Sequence, residues 1–264
     1  MRAIALLGLL CAACAAQAQG FDQSHAAWDA LLKRHVVLER DGKASRLRYA
    51  GVAREHAALA SYLASLSAVS RAEFDRWGKP ERIAFLVNAY NAFTVEKVLS
   101  RYPELRSIRD FGRFFGNPFS DRFFRLFGEP FSLDRIEHEM LRQPGVYDEP
   151  RVHFALNCAS LGCPMLREEA YVAAKLDAQL EDQARRFLSD RARNRYEPRE
   201  HRLEVSKIFD WYGKGFARGG ALGAYFARHA DLLADAADDR RRIAEQKVGI
   251  EFLDYDWTLN DARP

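Results

Sequence analysis

The stretch that most restricts the fold runs from Pro80 to Tyr102. Proline suits the first turn of a helix, where its missing N–H is no loss. Behind Pro80 come Ile83, Phe85, Leu86, Val87, Tyr90, Phe93, Val95, Val98 and Leu99. A helix from Glu81 to about Tyr102 with apolar residues on most sides must be buried nearly all round, so the chain has to wrap it. Into its middle the sequence sets Asn88 and Asn91, three residues apart and therefore on one face. Buried amides need hydrogen-bond partners, so polar groups must reach them from another segment. Two uses follow: a polar cleft wall that binds substrate or orients a catalytic histidine, or a network that fastens a loop.

Around this helix the pattern is mainly helical. Residues 24 to 37 carry Trp28, Leu31, Leu32 and His35 at helical spacing, and residues 52 to 67 repeat it with Leu59, Tyr62, Leu63 and Leu66. Asp41-Gly42 marks a turn. A Phe-rich segment runs from Phe111 to Phe131, and a short hairpin is expected there about Gly128-Glu129-Pro130. Ser132 then caps a helix of about residues 133 to 142, which Pro144-Gly145 ends. Arg151 to Leu156 alternates in the manner of a strand, although a helical turn fits the same residues. Residues 167 to 188 form an amphipathic helix with Leu176, Leu180, Ala184 and Phe187 inward. His201 to Val205 reads as a strand, and Ser206 caps a helix bearing Ile208, Trp211 and Tyr212. Helices near 219 to 229 and 230 to 245 precede a last strand from Lys247 to Leu253. These elements predict an α+β fold, mainly helical with a few short strands, as one domain over residues 19 to 264.

The first 18 residues read differently. Arg2 precedes an apolar run from Ala3 to Ala16, and Ala16-Gln17-Ala18 offers the small residues of a cleavage site. That is the pattern of a secretory signal cut after Ala18, which places the mature chain in the periplasm or outside the cell. Removal takes Cys11 and Cys14 with it and leaves Cys158 and Cys163 as the only cysteines. No later run is long and apolar enough for stable membrane insertion. The full chain has 40 Lys+Arg and 37 Asp+Glu, a formal charge of +3, which points to neither nucleic acid nor an anionic surface as partner.

Chemistry concentrates in His153-Phe154-Ala155-Leu156-Asn157-Cys158-Ala159-Ser160-Leu161-Gly162-Cys163-Pro164. A thiolate becomes a good nucleophile when a nearby histidine lowers its pKa and a third group orients that histidine. In the strand reading, His153, Ala155 and Asn157 share a face, and Cys158 stands where the strand ends. Against this, two cysteines five apart around a Gly-containing loop in an exported chain suit a disulfide. Glu137-His138 is the second stretch. Neighbours on an α-helix point about 100° apart, so one reaches a site while the other pairs elsewhere, unless both lie on a solvated face with Asp134 and Arg142. Metal ligation by His138, His153, Cys158 and Cys163 lacks any recognised spacing, so no metal is expected. Phosphate loops and the Gly-x-Ser-x-Gly elbow are absent, and no cofactor is implied.

Five stretches together resemble the domain of unknown function 547 family. They are Phe85 to Ala92, Leu133 to His138, His153 to Pro164, Val205 to Tyr212 and Phe252 to Asn260. The resemblance implies no particular activity. It extends to intracellular plant and animal proteins with the same two-cysteine stretch, which implies that the pair need not be an obligatory disulfide.

Two functions remain. In the first, Cys158 attacks the carbonyl of an envelope peptide or amide, as a thiol hydrolase or acyl transferase does. His153 or His138 takes the proton, Glu137 or Asn88 orients the imidazole, and Asn88, Asn91, Asn157 and Ser160 are the candidate substrate contacts. In the second, the chain is a non-catalytic binding or interaction module with a structural Cys158–Cys163 disulfide, and its Phe-rich segment forms the partner surface. Either way the partner is a small molecule or peptide. Export predicts that the intact mass of the mature protein, recovered from the periplasm or medium, corresponds to a chain starting at Gln19. A mass retaining residues 1 to 18 overturns the signal reading.

Overall fold

The computed structural model describes residues 20–112 and 117–262. The expected signal, with Cys11 and Cys14, lies outside them. The chain opens with α1 (Ala26–His35), then β1 (Val36–Leu38) and β2 (Ser45–Leu47), which pair antiparallel across the Asp41-Gly42 turn. The helix expected over 52 to 67 is two helices, α2 (Tyr49–Arg54) and α3 (His56–Ala68), with Glu55 at the break. After α4 (Arg71–Phe74) comes α5 (Lys79–Leu99), the long apolar helix with Pro80 in its first turn.

Helix α5 is buried at almost every position from Ile83 to Val98. Helix α3 and the segments around residues 135–141 and 173–175 pack on it. Burying one such Leu, Val or Phe side chain stabilises by about 1.5–3 kcal/mol. The main apolar cluster gathers around this helix and includes Trp28, Leu59, Leu66 and Phe85. A second cluster forms around Phe154, Phe187, Phe209, Phe216 and Phe226.

Strands β3 (Phe124–Leu126) and β4 (Glu129–Phe131) form the expected hairpin, with Phe124 opposite Phe131. Its turn residues are Phe127 and Gly128, both at positive φ (53° and 78°), which suits a two-residue hairpin connection. Two expectations are corrected beyond it. Residues Arg135–Leu141 wind as a π-helix, marked by the Arg142 N–H donating to the Glu137 carbonyl at 3.0 Å. The segment read as a strand from Arg151 is a 3-10 turn, Pro150–Phe154. Pro150 sets its first turn, and the Glu149 carboxylate accepts from the Arg151 N–H at 3.1 Å. His153 and Asn157 therefore do not share a strand face.

The amphipathic helix begins later than its pattern suggests. A 3-10 turn, Ala173–Lys175, leads into α6 (Leu176–Ser189). Strands β5 (Asn194–Glu197) and β6 (Arg202–Val205) pair antiparallel, and β6 pairs parallel with the last strand, β7 (Gly249–Phe252). Between β6 and β7 lie α7 (Ile208–Ala217), α8 (Leu222–Ala227), α9 (Ala230–Leu233) and α10 (Ala237–Ala244). Helices and a few short strands in small sheets make the fold α+β and mainly helical. No described helix is long and apolar enough to cross a membrane.

The two amides of α5 explain how its surroundings are held. Asn91 donates from Nδ2 to the Ala155 carbonyl at 2.9 Å and accepts at Oδ1 from the Asn157 N–H at 2.9 Å. Asn88 donates to the Tyr171 carbonyl at 2.7 Å and accepts from the Tyr171 N–H at 3.1 Å. Each side chain thus pairs with main chain as a neighbouring strand would. Both amides are buried and bonded to loop main chain, and neither lines the cavity that Cys158 borders. Replacing Asn91 by Ala leaves two buried main-chain groups unpaired, at about 1–3 kcal/mol each. Asn91→Ala is expected to lower unfolding stability by about 2–5 kcal/mol in denaturant titration, and a loss under about 1 kcal/mol contradicts the clamp.

Candidate functional site

The clamp from α5 delivers one end of the segment 155–164, and the C-terminal tail delivers the other. Ser160 and Leu259 form an antiparallel bridge. The Leu161 N–H donates to Thr258 O at 2.8 Å, Gly162 N–H to Asp256 O at 2.8 Å, and Asn260 N–H to Ala159 O at 3.1 Å. Gly162 is required here, because a Cβ would stand 3.0 Å from the Asp256 main chain. Ala159 adopts φ 63°, the left-handed region that residues with a Cβ rarely take. Two bonds hold it there: its N–H donates to Asn157 Oδ1 at 3.1 Å and its carbonyl accepts from Asn260. Asn157 also donates to Pro164 O at 2.8 Å. It is a loop brace like Asn91, bonded to the main chain of its own loop.

The loop presents Cys158 and Cys163 as a disulfide, with Cα atoms 6.0 Å apart. Both face a cleft of about 250 Å³ that is also lined by Tyr90, Asp134, Glu137, His138, His153, Trp211, Tyr212, Tyr255 and Trp257. Four residues singled out in the sequence, Cys158, His153, His138 and Glu137, therefore meet on one cavity wall. Ser160 is buried beneath the loop, its Oγ 3.1 Å from Cys158 Sγ.

The π-helix settles the relation of Glu137 to His138. Both neighbours border the cleft, although they are adjacent on a helical turn. Glu137 is buried, and burial raises its carboxyl pKa; the nearby His138 and a hydrogen bond from the Tyr212 hydroxyl act in the opposite direction. Asp134, one helical turn before His138, is likewise raised by burial. His138 lies 3.7 Å from Asp134 through Nε2 and 2.6 Å from Arg142 Nη1 through Nδ1. A guanidinium only donates, so Nδ1 accepts and the proton of neutral His138 sits on Nε2.

His153 stacks on Tyr212 at 4.3 Å between ring centroids, and Arg142 covers Tyr212 at 4.4 Å. Burial lowers the His153 pKa to about 3, and the Arg142 charge adds to that. His153 is therefore a neutral, apolar-faced ring and a poor proton acceptor at ordinary pH. At the mouth, Trp211 packs on Tyr255 at 4.8 Å and Trp257 at 5.9 Å, and remains 43% exposed. Large aromatic rings left open beside a cleft offer a surface for stacking. No group of three or more His, Cys, Asp or Glu side chains suited to a metal ion occurs among the described residues.

The sequence pattern marks neither Tyr212, which stacks on His153, nor Arg142, which covers Tyr212, nor Tyr255 and Trp257 as site residues. Asp134 was visible only as a helical neighbour of His138, four residues away. The aromatic residues come from α7 and the tail, stretches that the family resemblance groups with the cysteine loop without giving them a role.

Residues 74–188 match the model of a family described as a protein of unknown function, DUF547. That segment runs from α4 through α6 and holds Asn88, Asn91, Glu137, His138, His153, Cys158 and Cys163, so the resemblance read from these motifs is shown for it. Tyr212, Tyr255 and Trp257 lie beyond it. No curated protein and no solved structure matches the chain.

The His153 environment has a measurable consequence. Its folded pKa lies below the unfolded value of 6.5, so as pH falls below 6.5 the unfolded chain binds the proton first and stability declines toward pH 3. His153→Phe keeps the ring stack without a titrating group. Its thermal midpoint, measured against wild type from pH 7.5 to 4, is expected to gain steadily as the pH falls below about 6.5. A constant difference between the two proteins contradicts a desolvated neutral His153.

Proposed function

We propose that the cleft is a ligand-binding site for a small molecule or peptide, in a protein exported by residues 1 to 18, and that its resting form carries the closed Cys158–Cys163 disulfide. One observation carries this reading: the rings of Trp211 and Trp257, the half-buried carboxyl of Asp134 and the buried carboxyl of Glu137 share one cavity, while both sulfurs are bonded to each other. Stacking surface supplies affinity, and the few polar groups orient the ligand. The acidic pair and the aromatic rim favour a ligand with a planar or apolar part and hydrogen-bond donors, such as a peptide amide.

A second reading is favoured by the gathering of Cys158, Glu137, His138 and His153 on the same wall. It is thiol-dependent hydrolysis or acyl transfer at an amide, with Cys158 as nucleophile once the disulfide is reduced. Burial disfavours protonation of His153, which leaves His138 to take the proton in this reading. Asp134 at 3.7 Å takes the orienting place that Glu137 or Asn88 was expected to fill. Arg142 must release Nδ1 for this base to act.

One experiment separates the two. Tripeptide amides and their p-nitroanilides are titrated into oxidised and dithiothreitol-reduced protein, reading tryptophan fluorescence and nitroaniline release. The binding reading expects quenching in the oxidised protein, weakened about tenfold or more by Trp211→Ala, with no release in either form. Release only after reduction, abolished by Cys158→Ala and kept by Cys163→Ser, shifts the assignment to the hydrolase. Neither quenching nor release removes peptides as the ligand class.

A further inference from the structure

The two sulfurs of the disulfide are not equivalent. Cys158 is partly exposed, whereas Cys163 is 1% exposed. Cys163 Sγ also receives three donors. The Cys158 N–H lies 2.8 Å away, the Tyr255 hydroxyl 3.2 Å and the Ser160 hydroxyl 3.4 Å. Ser160 and Tyr255 also stand 3.1 Å each from Cys158 Sγ, so the main-chain donor is what distinguishes Cys163. A disulfide sulfur is a weak acceptor, while a thiolate is a strong one. Three converging donors therefore do little for the bonded state and much for the broken one.

We propose that the Cys158–Cys163 bond is an exchangeable disulfide that oxidises a dithiol substrate, with Cys158 as the sulfur attacked and Cys163 as the leaving thiolate. Exposure selects the first sulfur, and the Cys158 main-chain N–H, which reaches Cys163 Sγ alone, selects the second. The scaffold around the loop is already braced: Ala159 is held from both sides, and Tyr255 arrives on the tail paired along the loop. The cleft in front admits a cysteine side chain, and the Trp211 and Trp257 rings flank its approach.

The steps balance as thiol–disulfide exchange. A substrate thiol loses its proton to water at the cleft mouth, and its thiolate attacks Cys158 Sγ. The new S–S bond forms as the Cys158–Cys163 bond breaks, and the electron pair stays on Cys163. The second thiol of the same substrate, deprotonated in turn, attacks its own mixed-disulfide sulfur and releases Cys158. The substrate ends as a disulfide, having given two electrons to the protein. Each cysteine regains one proton from water. A small disulfide such as oxidised glutathione resets the pair by the reverse exchange.

This activity does not rest on the ligand-binding reading, and it differs from acyl transfer in requiring Cys163. The test uses the mature chain. Wild type, oxidised, is mixed with a reduced peptide carrying two cysteines, and peptide disulfide and protein thiols are followed by alkylation and mass spectrometry. One equivalent of peptide disulfide is expected per protein, with folding monitored by circular dichroism. With oxidised glutathione, Cys163→Ser is expected to form an adduct at Cys158 at least about tenfold faster than Cys158→Ser forms one at Cys163. Tyr255→Phe keeps both cysteines; it is expected to slow peptide oxidation and to raise the pH at which Cys163 of the reduced protein is half-alkylated. A wild-type disulfide that persists in the folded chain under excess dithiol peptide overturns the proposal. So does an unchanged Cys163 profile in Tyr255→Phe, or an adduct forming equally fast at either sulfur. Loss of peptide-amide binding with exchange intact would count against the binding reading alone.

Discussion

The structure depends on side-chain amides that act as main chain. Asn88 and Asn91 sit in the buried helix at the centre of the main core, and each gives one donor and one acceptor to a neighbouring strandless segment. A loop carries unpaired N–H and C=O groups that water normally satisfies. Bringing such a loop against a buried helix is possible only if the helix supplies the partners. That is what lets irregular backbone from Ala155 to Pro164 lie in the interior, with Leu156, Ala159 and Cys163 all buried. An apolar residue at Asn91 would leave the Ala155 carbonyl and the Asn157 N–H without this partner, and one at Asn88 would do the same to Tyr171.

The second constraint is the tail. Residues 255 to 262 run past the cysteine loop and on to β2, where the Leu47 N–H donates to Asn260 O at 2.9 Å and Ala262 N–H to Leu47 O at 2.9 Å. Asn260 repeats the logic of the α5 amides. It accepts from the Tyr49 hydroxyl at 2.8 Å and donates to Asn157 at 3.3 Å. The beginning of the chain, its centre and its end therefore close on one loop. The same tail brings Tyr255 and Trp257 to the cleft, so the clamp that stabilises the loop also completes the site. Strain at Ala159 persists because the groups on both sides leave it no alternative.

Charge in the cleft is arranged by burial. Asp134 and Glu137 are raised and His153 is lowered for the same reason: each charged form is poorly solvated there. The π-helical turn is what puts Glu137 and His138 on one wall together. Irregular winding of this kind recurs at functional sites.

How much of this was legible without coordinates differs by element. The central helix, the hairpin and the cysteine loop could be read because each is local: an apolar run behind Pro80, a turn with Gly128, two cysteines five residues apart. The need for partners at Asn88 and Asn91 was also readable, since burying an amide demands them. Which partners was not, because Ala155, Asn157 and Tyr171 lie far along the chain. The alternation from Arg151 to Leu156 misled toward a strand, since a strand needs a neighbour and none was offered, whereas Pro150 and the Glu149 cap favour a tight turn. The sequence by itself therefore determined the buried helix, the mainly helical class and the chemistry available at residues 137–138 and 153–163. Tertiary structure alone decided that these groups share a cleft, that Tyr212, Arg142, Tyr255 and Trp257 complete it, and that the two sulfurs have unequal surroundings. The reason is physical. Local pattern encodes what each segment must bury, while the meeting of distant segments depends on hydrogen bonds and close contacts that have no period along the chain.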